Sequence, residues 1–143
     1  MVQILWAEDS LQDRRLIREA LHDLPDRPKV TFVSDGMQLL KRAAQERPRL
    51  VVLDLQIPGM DGLEALKRLR ADPSTRRQPV VVFTASERPD DVAACQQLGV
   101  RDCVQKPFDF ASFVTAVQRV VGPVEVDAVA VEPTSDIPVP DLR

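Results

Sequence analysis

The stretch Leu50-Val51-Val52-Leu53-Asp54-Leu55-Gln56-Ile57-Pro58-Gly59-Met60-Asp61-Gly62-Leu63-Glu64-Ala65-Leu66 decides how this chain folds. It opens with an apolar run that does not alternate with polar residues. A strand reads this way when both faces of its sheet are covered, as in parallel α/β sheets. The run ends in an acid, Pro58 and Gly59 mark a turn, and from Gly62 to Arg70 the leucines at 63, 66 and 69 return at helical spacing. Strand, loop and helix thus follow one another within twenty-one residues, 50 to 70.

The same unit recurs on both sides. Apolar runs lie at Val2 to Ala7, Val30 to Val33, Val80 to Thr84 and, more weakly, Cys103-Val104. Between them the helical period places Ile17, Ala20, Leu21 and Leu24 on one stripe, Leu40, Ala43 and Ala44 on another, and Val92, Cys95 and Leu98 on a third. Ser10 with Asp13 offers a capping-box-like start to the first helix. The last helix is the cleanest, with Phe110, Phe113, Val114, Val117, Val120 and Val121 in register. Five alternations predict an α/β fold, a doubly wound parallel sheet with helices on both faces and right-handed crossovers.

The chain has 143 residues, enough for one core, and a formal charge of -3 that is unevenly placed. From Gly122 onward five acids (Glu125, Asp127, Glu132, Asp136, Asp141) face one base, Arg143, so this segment carries -4 and the rest is nearly neutral. Residues 1–121 therefore read as the domain and 122–143 as an acidic tail rich in Pro and Val. Pro123, Pro133, Pro138 and Pro140 predict that no helix runs through that tail. Its composition favours disorder, while Val124, Val126, Val129 and Val131 favour an extended arm exchanged across a homodimer. No apolar stretch is long enough to span a membrane, and no signal segment is evident, so a cytoplasmic protein with reduced thiols is expected. Cys95, Cys103 and the single His22 lack the spacing of a zinc site. A neutral body and an acidic tail argue against nucleic-acid binding.

In such sheets ligands sit beyond the carboxyl ends of the strands. The residues found there are Glu8-Asp9, Asp54, Thr84 and Lys106-Pro107. Three clustered carboxylates repel, by roughly 3 kcal/mol for each pair about 5 Å apart at an effective dielectric near 20. A cation relieves that repulsion, and an all-oxygen donor set suits Mg²⁺ or Mn²⁺. Lys106 adds a mobile positive charge for a phosphate oxygen, and Thr84 one hydrogen bond. These are the parts needed to form and hold an aspartyl-phosphate, so phosphoryl transfer to Asp54 is the chemistry expected. Each residue alone has a plainer explanation as a solvated loop acid, a turn cap, a strand end or a surface lysine. Their joint arrival at the ends of four strands does not.

From residue 2 to about 121 the chain resembles the receiver domain of two-component response regulators. The resemblance rests on Glu8-Asp9, Val51 to Leu55 around Asp54, Pro58-Gly59-Met60-Asp61-Gly62, Thr84-Ala85 and Lys106-Pro107. It implies a flavodoxin-like sheet of order 2-1-3-4-5. It implies that Asp54 is the phosphoacceptor and that Mg²⁺ is bound by Glu8, Asp9, Asp54 and the backbone carbonyl of Gln56. Thr84 and Lys106 would contact the phosphoryl group, and Pro107 would follow a cis peptide bond. The phosphate donor implied is a sensor histidine kinase, with onward transfer to a histidine phosphotransfer protein as a further route. The extended connector from Asp72 to Pro79 is similar to that of stand-alone receivers serving phytochrome-type or hybrid kinases.

Two features depart from the family pattern. The position three before Lys106, usually Tyr or Phe, is Cys103, so the signal is expected in the loop after Thr84 and the next helix. Cys103 itself reads as a small buried hydrophobe. Trp6 stands where a smaller residue is usual and reads as core. Gln56 and Ser86, each two residues past a site residue, are expected to tune hydrolysis. Two other functions compete. An aspartate-nucleophile phosphatase would need an acid at Gln56, and a pseudo-receiver acting only as a binding or dimerisation module would not need the full acid, threonine and lysine set.

Overall fold

The computed structural model of the chain describes residues 3–86 and 88–127. The tail from 128 onward, with its choice between disorder and an exchanged arm, lies outside the described residues. Five strands, β1 (Ile4–Ala7), β2 (Val30–Val33), β3 (Leu50–Leu53), β4 (Val80–Thr84) and β5 (Asp102–Gln105), alternate with α1 (Leu11–His22), α2 (Gly36–Glu46), α3 (Gly62–Ala71), α4 (Pro89–Gln97) and α5 (Phe110–Asp127). The sheet is parallel throughout, in the order β2-β1-β3-β4-β5. Fold class and strand order are those expected.

Alternation along the strands divides the core in two. Ile4, Trp6, Leu50, Val52, Val81, Phe83 and Val104 face α1 and α5, where they meet Ile17, Leu21, Phe113 and Val117. Leu5, Ala7, Val51, Leu53, Val80 and Val82 face α2, α3 and α4, and pack on Leu39, Ala43, Leu66, Leu69 and Cys95. Both faces of the central strands are covered, which is why their sequences are continuously apolar. Each fully enclosed aliphatic side chain contributes about 1.5–3 kcal/mol. Edge strands β2 and β5 are only half-buried, and β5 reads more weakly as a result.

Trp6 is fully buried, 6.1 Å from Phe32 and 6.0 Å from Phe83 between ring centroids. Its indole Nε1 has no hydrogen-bond partner among the described residues. Such a group costs about 1–3 kcal/mol, which the aromatic packing offsets. Arg14 and Arg18 lie over the outer Phe32 ring, 5.3 and 4.7 Å from its centroid.

Helix starts follow the caps. Ser10 Oγ accepts from the Asp13 N–H, Asp35 from Gln38 and Asp61 from Leu63. Three details differ from expectation. The α2 stripe is turned so that Leu39 is fully buried and Leu40 only partly. Phe110 opens α5 beyond the sheet edge and is 57% exposed. Most clearly, α5 continues through Pro123 to Asp127, past the expected boundary at 121. A prolyl ring fixes φ near the helical value, so the helix path survives at the cost of one backbone hydrogen bond. Among the described residues no helix is long and apolar enough to cross a membrane.

Candidate functional site

Because all five strands run the same way, their carboxyl ends share one edge. Glu8 follows β1, Asp54 follows β3, Thr84 closes β4 and Lys106 follows β5. Lys106 Nζ lies 2.7 Å from Glu8 Oε1, 2.7 Å from Asp54 Oδ2 and 2.9 Å from Asp13 Oδ2. Its own N–H donates to the Thr84 carbonyl at 2.8 Å, extending the β4–β5 ladder to the site. Glu8, Asp54 and Thr84 are buried, and the Lys106 side chain is 10% exposed.

Both oxygens of the two buried carboxylates are held. Asp54 Oδ1 accepts from the Gln56 N–H at 2.9 Å while Oδ2 accepts from Lys106. Glu8 Oε2 accepts from the Ser10 N–H at 3.2 Å. Arg14 fixes the same turn, donating from Nε to the Glu8 carbonyl and from a terminal nitrogen to Ser34 Oγ. Burial pushes the Glu8 pKa above the ordinary carboxylate value, against the pull of Lys106. For Lys106, burial alone would lower the pKa, but Asp54 and Glu8 together outweigh it and hold the ammonium charged well above its ordinary range.

Two glycines shape the loop after Asp54. Gly59 has φ of 82°, in the left-handed region. Gly62 opens α3 so close to β3 that a Cβ there would stand 2.4 Å from Leu55 Cα. Any side chain at 62 would push the helix off the strand end that carries Asp54.

Of the expected residues, the structure gathers Glu8, Asp54 and Lys106. Asp9 is exposed and makes no contact with Lys106, and among the described residues no group of three or more acidic, thiol or imidazole side chains is placed to hold a metal ion. Adjacent residues at a strand end project in opposite directions, and here Glu8 takes the inward one. Gln56 reaches Asp54 through its backbone, its side chain being exposed. Pro107 is half-buried, and the expected cis bond before it is absent: no cis peptide bond occurs among the described residues. The trans form is the lower-energy isomer of such a bond by about 0.5–1 kcal/mol.

The residue missed from sequence is Asp13. It was visible only as a helix-start acid, and its N–H is indeed capped by Ser10, yet its carboxylate also turns back to Lys106. The available signal was an acid one helical turn past the edge pair Glu8-Asp9. Three carboxylates around one ammonium leave a formal charge of -2 on the site. That surplus, on oxygen donors alone, fits a hard divalent cation such as Mg²⁺ or Mn²⁺.

Behind the site, Thr84 Oγ1 accepts from the Ser86 N–H at 3.3 Å, which leaves the hydroxyl proton available for donation. Ser86 Oγ donates to Asp91 Oδ2 on α4 at 2.7 Å. A pocket of about 160 Å³ opens beside these residues, between Gln56, Asp61, Ser86 and Arg88. Cys103 stands in register with Val82, packed on the α4 side of the core with Cys95. Burial raises both thiols, Cys95 to about 12.

A family model described as "Response regulator receiver domain" matches residues 4–118. The chain is 33% identical over 124 residues to the response regulator Rcp1 of Synechocystis sp., covering 82% of this chain and 84% of that one. Among solved structures, the Mn(2+)-bound form of Rcp1 superposes with a TM-score of 0.81 at 30% identity, over 93% of this chain and all 100% of the other. The phosphorylated cyanobacterial phytochrome response regulator RcpA gives 0.80 at 32% identity, over 90% and 96%.

Proposed function

The chain belongs to the response regulator receiver domain family, and from that premise we propose that it takes a phosphoryl group onto Asp54 from a phosphohistidine, in a Mg²⁺-dependent reaction. The observation that carries this reading is the 2.7 Å contact between Asp54 Oδ2 and Lys106 Nζ in a buried, surplus-negative site at the strand ends.

The chemistry follows from the contacts. Two donors, the Gln56 N–H and Lys106, fix the plane of the Asp54 carboxylate. An Asp54 oxygen forms the new P–O bond as the P–N bond to the donor imidazole breaks, and the ring nitrogen keeps the electron pair. Lys106 then exchanges a carboxylate partner for a phosphoryl oxygen, which keeps its charge matched throughout. Thr84 donates its hydroxyl proton to a second phosphoryl oxygen. A divalent cation held by Glu8, Asp54 and the Gln56 carbonyl, with the exposed Asp9 turned to it once the cation is bound, would neutralise the charge that develops on the phosphoryl group. Two structural relatives are response regulators in a Mn²⁺-bound and a phosphorylated form, which supports this assignment.

Recruiting Thr84 to the phosphoryl group disturbs its bond from Ser86 and, through Ser86, the bond to Asp91 on α4. With Cys103 packed against Cys95 and no aromatic ring on β5 to swing, the β4–α4 loop and α4 carry the change of shape to a binding partner. Gln56 and Ser86, which border the pocket beside the site, tune how readily water reaches the phosphoryl group. The partner chemistry is a sensor histidine kinase of the phytochrome-type or hybrid class, or a histidine phosphotransfer protein, and the likeness to a phytochrome response regulator supports the first. A homodimer in the cytoplasm completes the proposal. A pseudo-receiver limited to binding is disfavoured by the intact contact between Asp54 and Lys106.

The test is incubation of the full chain with acetyl phosphate and Mg²⁺, compared with Asp54→Asn. One added phosphoryl group that requires Mg²⁺ and is absent from the variant is the expected result. No Mg²⁺-dependent modification of the wild type overturns the reading.

A further inference from the structure

At the opposite edge of the sheet lies a second, strongly charged feature that phosphoryl transfer does not use. A groove of about 600 Å³ runs between the loops that precede β4 and β5, with the last turn of α4 as one wall. Arg70, Arg76, Arg77 and Arg101 line it, together with Gln78 and Gly99, and no lining residue carries a carboxylate.

Arg70 forms its floor. Its guanidinium donates to four backbone carbonyls, those of Leu98 (2.7 Å), Arg76 (3.0 Å), Gln78 (2.8 Å) and Gly99 (3.1 Å). Carbonyls satisfy its donors but leave its charge unneutralised. Arg70 thus staples the two loops together and holds a positive charge beneath the exposed Arg76 and Arg77. Two acids in the adjoining segments are engaged away from Arg70, Arg76 and Arg77: Asp72 accepts from Ser74, and Asp102 holds Arg119 at 2.9 Å. Arg70, Arg76 and Arg77 thus make the groove a preformed anion site.

We infer that its occupant is the chain's own acidic C-terminal segment, residues 128–143, which carries Glu132, Asp136 and Asp141 against Arg143. Three observations select this occupant. The ion pair between Arg119 on α5 and Asp102, the first residue of β5, puts the C-terminal part of α5 at the edge where the groove lies. Reach suffices: the nine residues from Asp127 to Asp136 span up to about 30 Å extended, more than the roughly 19 Å width of a five-stranded sheet. Charge is complementary, and a short tether supplies an effective concentration on the order of millimolar, enough for exposed ion pairs that would be weak between separate molecules. Seated there, the segment lies on the last turn of α4, so it touches the helix that the proposed signal moves.

The experiment is amide NMR on the full chain, from about 0.01 M to about 1 M salt, across which the screening length falls from about 30 Å to about 3 Å. Amides of the segment and of Arg76, Arg77 and Gly99 are expected to shift together as salt releases the segment. Arg76→Glu with Arg77→Glu should abolish the shift in the segment, and Glu132→Gln with Asp136→Asn and Asp141→Asn should abolish it in the groove. Arg76 and Arg77 are exposed and both variants leave Arg70 intact, so unchanged core resonances verify the fold. Salt-independent segment resonances that are identical in wild type and variants overturn the inference. Shifts that disappear on tenfold dilution overturn it too, in favour of a second copy supplying the segment.

Discussion

Lys106 Nζ stands 2.7 Å from Asp54 Oδ2 across 52 residues of sequence, and the same ammonium reaches Glu8 and Asp13. One cation thus neutralises part of a three-acid cluster that would otherwise repel itself. Replacing it, Lys106→Met, leaves buried Glu8 and Asp54 with no counter-charge. Urea unfolding at pH 7 should show a loss of about 3–5 kcal/mol, partly restored by millimolar Mg²⁺. The sign is set by the raised Lys106 pKa: its contribution is complete below the ordinary value of 10.5 and is lost only as pH climbs through the higher folded value. Equal stability of variant and wild type at pH 7 would show that the ammonium does not neutralise the site.

Glu8 is the acid that burial disfavours most clearly, and Glu8→Gln removes its charge while keeping an oxygen for the Ser10 N–H. A group whose folded pKa is raised contributes most below its ordinary value, here 4.5, and loses that contribution as pH rises through the folded value. The variant should therefore be no less stable than wild type at neutral pH without metal. Mg²⁺ affinity should fall about tenfold or more, since even groups behind the direct ligands alter affinity by 10–100-fold. Metal-free urea unfolding checks the first and isothermal titration with Mg²⁺ the second, and unchanged affinity would remove Glu8 from the ligand set.

The alternation of strands and helices was legible because burial on two faces leaves continuous apolar runs such as Leu50 to Leu53. The convergence of Glu8, Asp54 and Lys106, with Thr84 at the adjoining strand end, was legible because parallel strands bring their carboxyl ends to one edge. Which of Glu8 and Asp9 points inward was not, since neighbours at a strand end differ only in side-chain direction. Asp13 hid behind its own cap, a local role that fully accounts for an acid in a first turn. The isomer at Pro107 turns on an energy difference too small for sequence to decide, and the helix through Pro123 overrode a rule that describes average cost rather than prohibition.

Cys103 tests where the signal travels. It is half-buried beside Cys95, and burial raises both thiols, so neither is an activated nucleophile. At pH 8 alkylation of both should be much slower than in the urea-unfolded chain, and rapid reaction of Cys103 in the folded state would contradict its packing. Cys103→Tyr restores the ring usual at this position. If the β4–α4 loop carries the signal, phosphorylation-dependent partner binding should change less than about threefold. A larger change would return β5 to the switch.

Ser86 joins the site to α4, because its N–H reaches Thr84 and its hydroxyl reaches Asp91 at 2.7 Å. Ser86→Ala keeps the backbone contact with Thr84 and deletes only the link to the helix. Phosphorylation by acetyl phosphate should proceed within about twofold of wild type, since no atom that touches Asp54 is lost. The amides of α4 should then respond less to the beryllofluoride mimic than they do in wild type, which NMR reads directly. Asp91→Asn gives the companion test, because an amide oxygen still accepts from Ser86 but no longer bears charge. If both variants leave the α4 response intact, the signal bypasses this hydrogen bond. If Ser86→Ala alone weakens it, the bond itself, rather than the charge on Asp91, couples the phosphoacceptor to the helix.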